Sequence, residues 1–210
     1  MYAAGQGVPR DYAKALTWYR KAADQRYAPA QNFLGFMYEQ GHGVMLDPVA
    51  AVTWYRKAAD QGDPRAQFNL GGMYEDGRGV PKDLGAAMMW YRKSADQGYA
   101  EAQYILGGLY YLGEGVQQDD AAALIWFRKA ADQGYPQAQF SLGLMYDVGR
   151  GVPQDYVQAH KWYNLAASRF SASDAKLRNI AVKGRDEVAA KMTPDQIAEA
   201  QRLAREWKPK

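Results

Sequence analysis

The 210-residue sequence contains no cysteine. Disulfide staples, Cys-ligated zinc and thiol nucleophiles are therefore excluded, while the compartment stays open because exported proteins also lack cysteine. Histidine is nearly as scarce. Only His42 and His160 occur, neither has a companion at metal-ligand spacing, and both read as structural or solvated rather than as ligand or catalyst. No apolar stretch approaches the roughly 20 residues that cross a bilayer, so no membrane insertion is expected. The opening Met1-Tyr2-Ala3-Ala4-Gly5 has neither a basic nor an apolar segment, and no signal peptide is visible there. A basic stripe is missing too. Residues 1–167 carry 16 Lys/Arg against 17 Asp/Glu, and the excess of 10 against 6 sits in residues 168–210. A groove that tracks phosphates would spread its positive charge along its length, so no nucleic acid is expected as a partner.

What the sequence has is a period. Trp18, Trp54, Trp90, Trp126 and Trp162 are each 36 residues apart. Gly-x-Gly pairs (Gly5/Gly7, Gly41/Gly43, Gly77/Gly79, Gly113/Gly115, Gly149/Gly151) and Ala-Gln pairs from Ala30-Gln31 to Ala138-Gln139 keep the same step. Self-similarity at such a period marks stacked supersecondary units, none of which can bury its own face alone.

Each unit reads as two helices. Helix A, over residues 29–40 and equivalents, repeats apolar side chains at Ala30, Leu34, Met37 and Tyr38, a helical spacing. The Gly-x-Gly pair ends it by supplying left-handed backbone. Helix B follows the capping residues Asp11, Asp47, Asp83, Asp119 and Asp155 and should bury Ala51, Trp54, Tyr55 and Ala58. Its outer face carries Arg20/Asp24, Arg56/Asp60, Arg92/Asp96 and Arg128/Asp132, spaced for i, i+4 ion pairs. Gly35, Gly71, Gly107 and Gly143 lie inside helix A, where glycine is costly, and imply close approach beneath a Trp or Tyr ring. Past residue 171 the pattern stops. Residues 173–192 predict one longer helix with Leu177, Ile180, Val188 and Met192 on one side, and Thr193-Pro194-Asp195-Gln196 is a capping box that opens a final helix.

The expected fold is an all-α solenoid of 36-residue helix-turn-helix repeats: a partial repeat over 1–28, repeats over 29–64, 65–100, 101–136 and 137–171, and a helical cap over 172–210. Because Met1-Tyr2 aligns with Met37-Tyr38, the chain starts in the last turn of a repeat helix, either as a natural half repeat or, the favoured reading, as a fragment.

These residues resemble the Sel-1-like repeat family, a relative of the tetratricopeptide repeats. The resemblance rests on AQFNLGGMYEDGRGVPKD at 66–83 and WYRKSADQG at 90–98, with counterparts in the other units, and covers residues 1 to about 170. MTPDQIAEAQRLAREW at 192–207 looks like the closing segment of bacterial members. The resemblance implies a right-handed superhelix whose helices A line the concave side, acting as a scaffold for protein–protein contacts. Disulfides within repeats, known in some members, do not carry over to a chain without cysteine.

No enzymatic constellation is legible. The Gly-x-Gly turns lack the preceding strand of a dinucleotide fingerprint. Ser94, Ser141, Ser168, Ser171 and Ser173 lack a nucleophile elbow and a nearby histidine. A cell-wall or lactam-directed hydrolase is the enzymatic alternative, but it lacks a nucleophile, base and oxyanion donors, and no cofactor or metal is implied. The informative signal is a stripe that differs between copies of helix A. Its columns are Pro29, Arg65, Glu101, Gln137; Phe33, Asn69, Ile105, Ser141; Phe36, Gly72, Gly108, Leu144; and Gln40, Asp76, Leu112, Val148. These fall at i, i+4, i+7 and i+11, away from the recurring core face, and several are large and apolar. Such a stripe suits the groove of a monomeric interaction scaffold that takes another protein or peptide. A nucleic-acid-binding solenoid would need basic residues there, and Arg65 is offset by Asp76 and Glu101.

Overall fold

The computed structural model describes residues 11–210, so the expected Gly5/Gly7 turn and the Met1-Tyr2 helix end lie outside the described residues. Those residues form two compact units that divide between Gln97 and Gly98. The first contains α1 (Tyr12–Asp24), α2 (Ala28–Gln40), α3 (Pro48–Ala59), α4 (Pro64–Asp76) and α5 (Leu84–Asp96). The second contains α6 (Ala100–Leu112), α7 (Asp120–Asp132), α8 (Pro136–Val148), α9 (Tyr156–Arg169), a 3-10 turn (Ala172–Asp174), α10 (Ala175–Ala189) and α11 (Pro194–Glu206). No strand occurs among the described residues.

Local chemistry fixes the helix ends. Asp11, Asp47, Asp83, Asp119 and Asp155 each accept a backbone N–H two or three residues on. Caps of this kind contribute about 1 kcal/mol each. Even-numbered helices from α2 to α8 stop at a glycine in the left-handed region, such as Gly41 at φ 68°, which L side chains rarely adopt. The second turn glycine has a different duty. A Cβ on Gly79 would lie 2.2 Å from the Pro48 carbonyl oxygen, so only glycine lets the turn meet the start of α3.

The core comes from small residues and rings. Within the first unit α2 packs on α3 and α4 on α5; within the second, α6 packs on α7 and α8 on α9. Ala30, Leu34 and Met37 of α2 are buried, as are Ala51, Tyr55 and Ala58 of α3. The glycines inside helix A lie under rings as expected. A Cβ on Gly35 or Gly71 would come within 2.5–2.7 Å of the Tyr55 or Tyr91 ring. Gly107 stands likewise under Phe127 and Gly143 under Tyr163.

Buried glutamines link successive pairs. Gln31, Gln67 and Gln139 each donate to a carbonyl at the end of the preceding helix B, at Ala23, Ala59 and Ala131. The amide oxygens in this column accept from the end of helix B of the same repeat: Gln61 donates to Gln31 at 2.6 Å, Gln97 to Gln67 at 2.7 Å and Gln133 to Gln103 at 2.8 Å. Arg169 occupies the next place in that series, and the buried Oε1 of Gln139 has no hydrogen-bond partner.

Three expectations need correction. Trp90, Trp126 and Trp162 are buried and Trp54 is half-buried, but Trp18 is 60% exposed. Neighbouring helices supply the cover: Trp54 packs against the α1 and α2 core, Trp90 joins the α3 and α4 core, and Trp162 joins the cluster of α7, α8 and the cap, whereas no helix precedes α1 among the described residues. Three of the i, i+4 arginines on the outer face of helix B turn to the next helix instead of to aspartate. Arg20 donates to the Tyr38 hydroxyl at 2.7 Å, Arg56 to Tyr74 and Arg128 to Tyr146. The cap is not one helix over residues 173–192: a 3-10 turn precedes α10, which ends at Ala189. Val188 is buried, whereas Leu177 and Ile180 are exposed because α10 turns the face carrying Ala181 and Val188 to the core. The capping box opening α11 forms as expected, with Thr193 and Gln196 bonded reciprocally.

Candidate functional site

Every residue of the variable stripe lies at the surface or half-buried; none enters the core. In the first unit α2 supplies Phe33 and Phe36, and α4 supplies Arg65, Asn69 and Asp76. Asn69 donates to Asn32 at 2.9 Å, a bond that joins the two helices beside Phe33. Asp76 receives Arg78 at 3.0 Å, and Arg78 also reaches Glu39 at 2.6 Å. In the second unit α6 supplies Glu101, Ile105 and Leu112, while α8 supplies Gln137, Ser141, Leu144 and Val148. The Ser141 hydroxyl donates to the Gln137 carbonyl at 3.1 Å.

The apolar members are open to solvent. Phe33 is 41% and Phe36 42% exposed, and Leu112 and Val148 reach 61% and 54%. Their neighbourhood in the first unit is more aromatic than the sequence implied. Tyr19 stacks on Phe33 with centroids 5.0 Å apart. His42 stacks on Tyr12 at 4.5 Å and meets the edge of Phe36 at 5.6 Å. Tyr19 gave no signal of this, since its column elsewhere supplies the core rings Tyr55, Tyr91 and Tyr163. His42 stood in a turn whose residue changes from copy to copy, and that variation was the available hint.

The titratable groups hold structural posts. Tyr55 donates to Glu39 and Tyr91 to Glu75, both at 2.5 Å. Burial first, and the carboxylate beside each second, push both phenols far above their usual range. Burial, with a smaller push from Glu101, raises Tyr135 to about 12. His160 is buried on α9; burial and then the Arg185 charge lower its pKa, which keeps the ring neutral. Among the described residues no group of three or more His, Asp or Glu side chains could hold a metal. No described helix is long and apolar enough to cross a membrane.

The Sel1 repeat model matches residues 1–27, 28–63, 64–99, 100–135 and 136–169. The chain belongs to the Sel1 repeat family. A Sel1 repeat protein from Oxalobacter formigenes is 35% identical, with a TM-score of 0.82, over 99% of this chain and 84% of that one. Immunity protein Pa5087 from Pseudomonas aeruginosa shares the fold at 23% identity and a TM-score of 0.54, over 86% of this chain and 76% of that one. Among curated proteins no match is found. The Sel1 repeats are all-α solenoids that generally serve as protein-interaction scaffolds rather than as catalysts.

Proposed function

We propose that the chain holds a protein or peptide partner on the variable face of its helices A. The observation carrying this reading is the exposure of Phe33, Phe36, Leu112 and Val148 on helices whose recurring positions are buried. Copies of one repeat share the residues that packing demands, so a face that differs from copy to copy is free to serve something outside the stack. Large apolar side chains there act as anchors once a partner desolvates them. Asn69 and Ser141 have polar groups at the same face, and Arg65, Asp76, Glu101 and Gln137 flank it with charge and hydrogen-bonding capacity.

The test compares partner capture by the intact chain with capture by two folded variants, Phe33→Asp/Phe36→Asp in the first unit and Leu112→Asp/Val148→Asp in the second. Losing one anchor typically costs about 2 kcal/mol, so cross-linked partners identified by mass spectrometry should be lost from at least one variant. Lys93→Glu/Lys129→Glu, on the outer face of helix B, should keep them. Loss from the lysine variant alone would move the site to helix B and overturn this reading.

A further inference from the structure

The last repeat shows an occupied notch, and the first repeats hold the same notch open. In the second unit the chain's own end lies across the junction of α7, α8 and α9. The Trp207 ring packs edge-on against Trp162 with centroids 6.4 Å apart, and Arg169 lies over it at 4.3 Å. Lys210 donates its backbone N–H to the Asp132 carbonyl at 2.8 Å and its ammonium to the Asp132 carboxylate at 3.0 Å. A Cβ on Gly134 would lie 3.6 to 3.9 Å from Trp207, Arg169 and Pro209, so the tail runs directly over that glycine.

Three repeats earlier in the sequence, and wholly within the first unit, Asp24, Arg26, Gln31 and Trp54 stand where Asp132, Gly134, Gln139 and Trp162 stand in the second. Here they line an open cavity of about 430 Å³ at the junction of α1, α2 and α3, completed by Ala23, Lys57, Asp60 and Gln61. Trp54 is half-buried with the Lys57 ammonium over its ring at 4.2 Å, so a ligand's ring would meet the uncovered remainder, as Trp207 meets Trp162 edge-on; Trp90 in the next copy is already only 5% exposed. Arg26 adds a second sign. It is the one non-glycine with positive φ among the described residues, at 63°, where Gly62, Gly98 and Gly134 occupy the equivalent place at φ near 90°. An arginine held in backbone suited to glycine points to a task for its side chain.

We infer that this notch binds an extended peptide of a partner protein, anchored by an aromatic side chain on Trp54 and by a lysine three residues later on Asp24. The chain's own Trp207-Lys208-Pro209-Lys210 supplies the template. Arg26 replaces the glycine that Pro209 crosses, so the preferred ligand carries an acidic residue immediately before its lysine. This surface lies apart from the variable face of helix A, and neither reading needs the other.

The probe is the acetylated peptide AREWKPK, residues 204–210, titrated into the intact isotope-labelled chain up to about 1 mM, the range of weak peptide affinities. Shifts should appear at the Trp54 indole N–H and the Gln61 side-chain amide. Asp24→Ala should weaken binding about tenfold, the worth of one charge-assisted bond. The peptide carrying Pro209→Glu should bind more tightly, and Arg26→Gly should abolish that preference while leaving the parent peptide bound. Absence of shifts at Trp54, or affinity indifferent to Asp24→Ala, would overturn the proposal. Concentration-dependent self-association abolished by Asp24→Ala would also overturn it, by making the occupant the tail of a second copy.

Discussion

Trp18 on α1 and Trp162 on α9 hold the same place in the repeat, yet one is 60% exposed and the other 3%. The helices differ in their neighbours. α1 packs against α2, while α9 is packed by α8, α10 and α11. A repeat tryptophan is therefore buried by adjoining helices rather than by its own. Stability in such a chain is a sum of neighbour contacts, and the same side chain has a different worth at each place along it. The cap bears this out: Val188, Ala200 and Ala204 are buried, and Trp207 covers the Trp162 ring.

The largest expected effect tests that difference directly. Trp90→Ala empties a buried site and should cost about 3–5 kcal/mol, whereas Trp18→Ala removes an exposed ring and should cost under about 1 kcal/mol. Denaturant unfolding of both variants measures the gap. Equal losses would mean that α1 is covered in solution in a way its described neighbours do not provide, and the comparison would break.

Most of the fold was legible because the internal copies act as controls on one another. The period gave the helix pairs, the aspartate column gave the caps, and glycine recurring inside a helix pointed to a ring above it. The failures arose where copies were absent or where two partners covaried. In α10 no second copy existed, so Leu177 and Ile180 were placed on a buried side by apolarity alone. For the arginines, Asn164 and Ser168 replace arginine and aspartate together in the fifth copy, which favoured an ion pair. The tyrosine is lost there too: the series Tyr38, Tyr74, Tyr110, Tyr146 continues at Val182, in the cap. Covariation alone could not separate the two. The candidate face was legible as an exposed stripe, but the aromatic company of Phe33 and Phe36 depends on packing that no column recorded.

A smaller effect sharpens the point about neighbours at two adjacent residues of α6. Gly107 lies under the Phe127 ring, where a Cβ would approach to 2.5 Å, while nothing lies within 4 Å of a Cβ on Gly108. Both are helical, so alanine gains about 1 kcal/mol of propensity at either. At Gly107 the ring must shift, and overpacking of about 1–3 kcal/mol should exceed that gain. Gly107→Ala should thus lower the melting temperature and Gly108→Ala raise it. The reverse order would show that the ring is not held on this glycine by its neighbours.

The smallest effect concerns how one helix pair grips the next at the surface. Arg56 donates to the Tyr74 hydroxyl and lies over the edge of that ring, with its guanidinium carbon 5.6 Å from the centroid. Asp60, four residues along the same helix, is exposed and fully able to hydrate. An ion pair between two solvated side chains is worth about 0.3–0.5 kcal/mol and is screened by salt. A cation bonded to a half-buried phenol loses less to water and keeps its ring contact at high salt. Arg56→Ala should therefore cost under about 1 kcal/mol in all. A double-mutant cycle divides that cost. Arg56→Ala with Tyr74→Phe should show coupling that persists as salt rises, while Arg56→Ala with Asp60→Ala should be additive. Coupling to Asp60 that fades with salt would restore the ion pair and remove this tyrosine from the links between successive repeats.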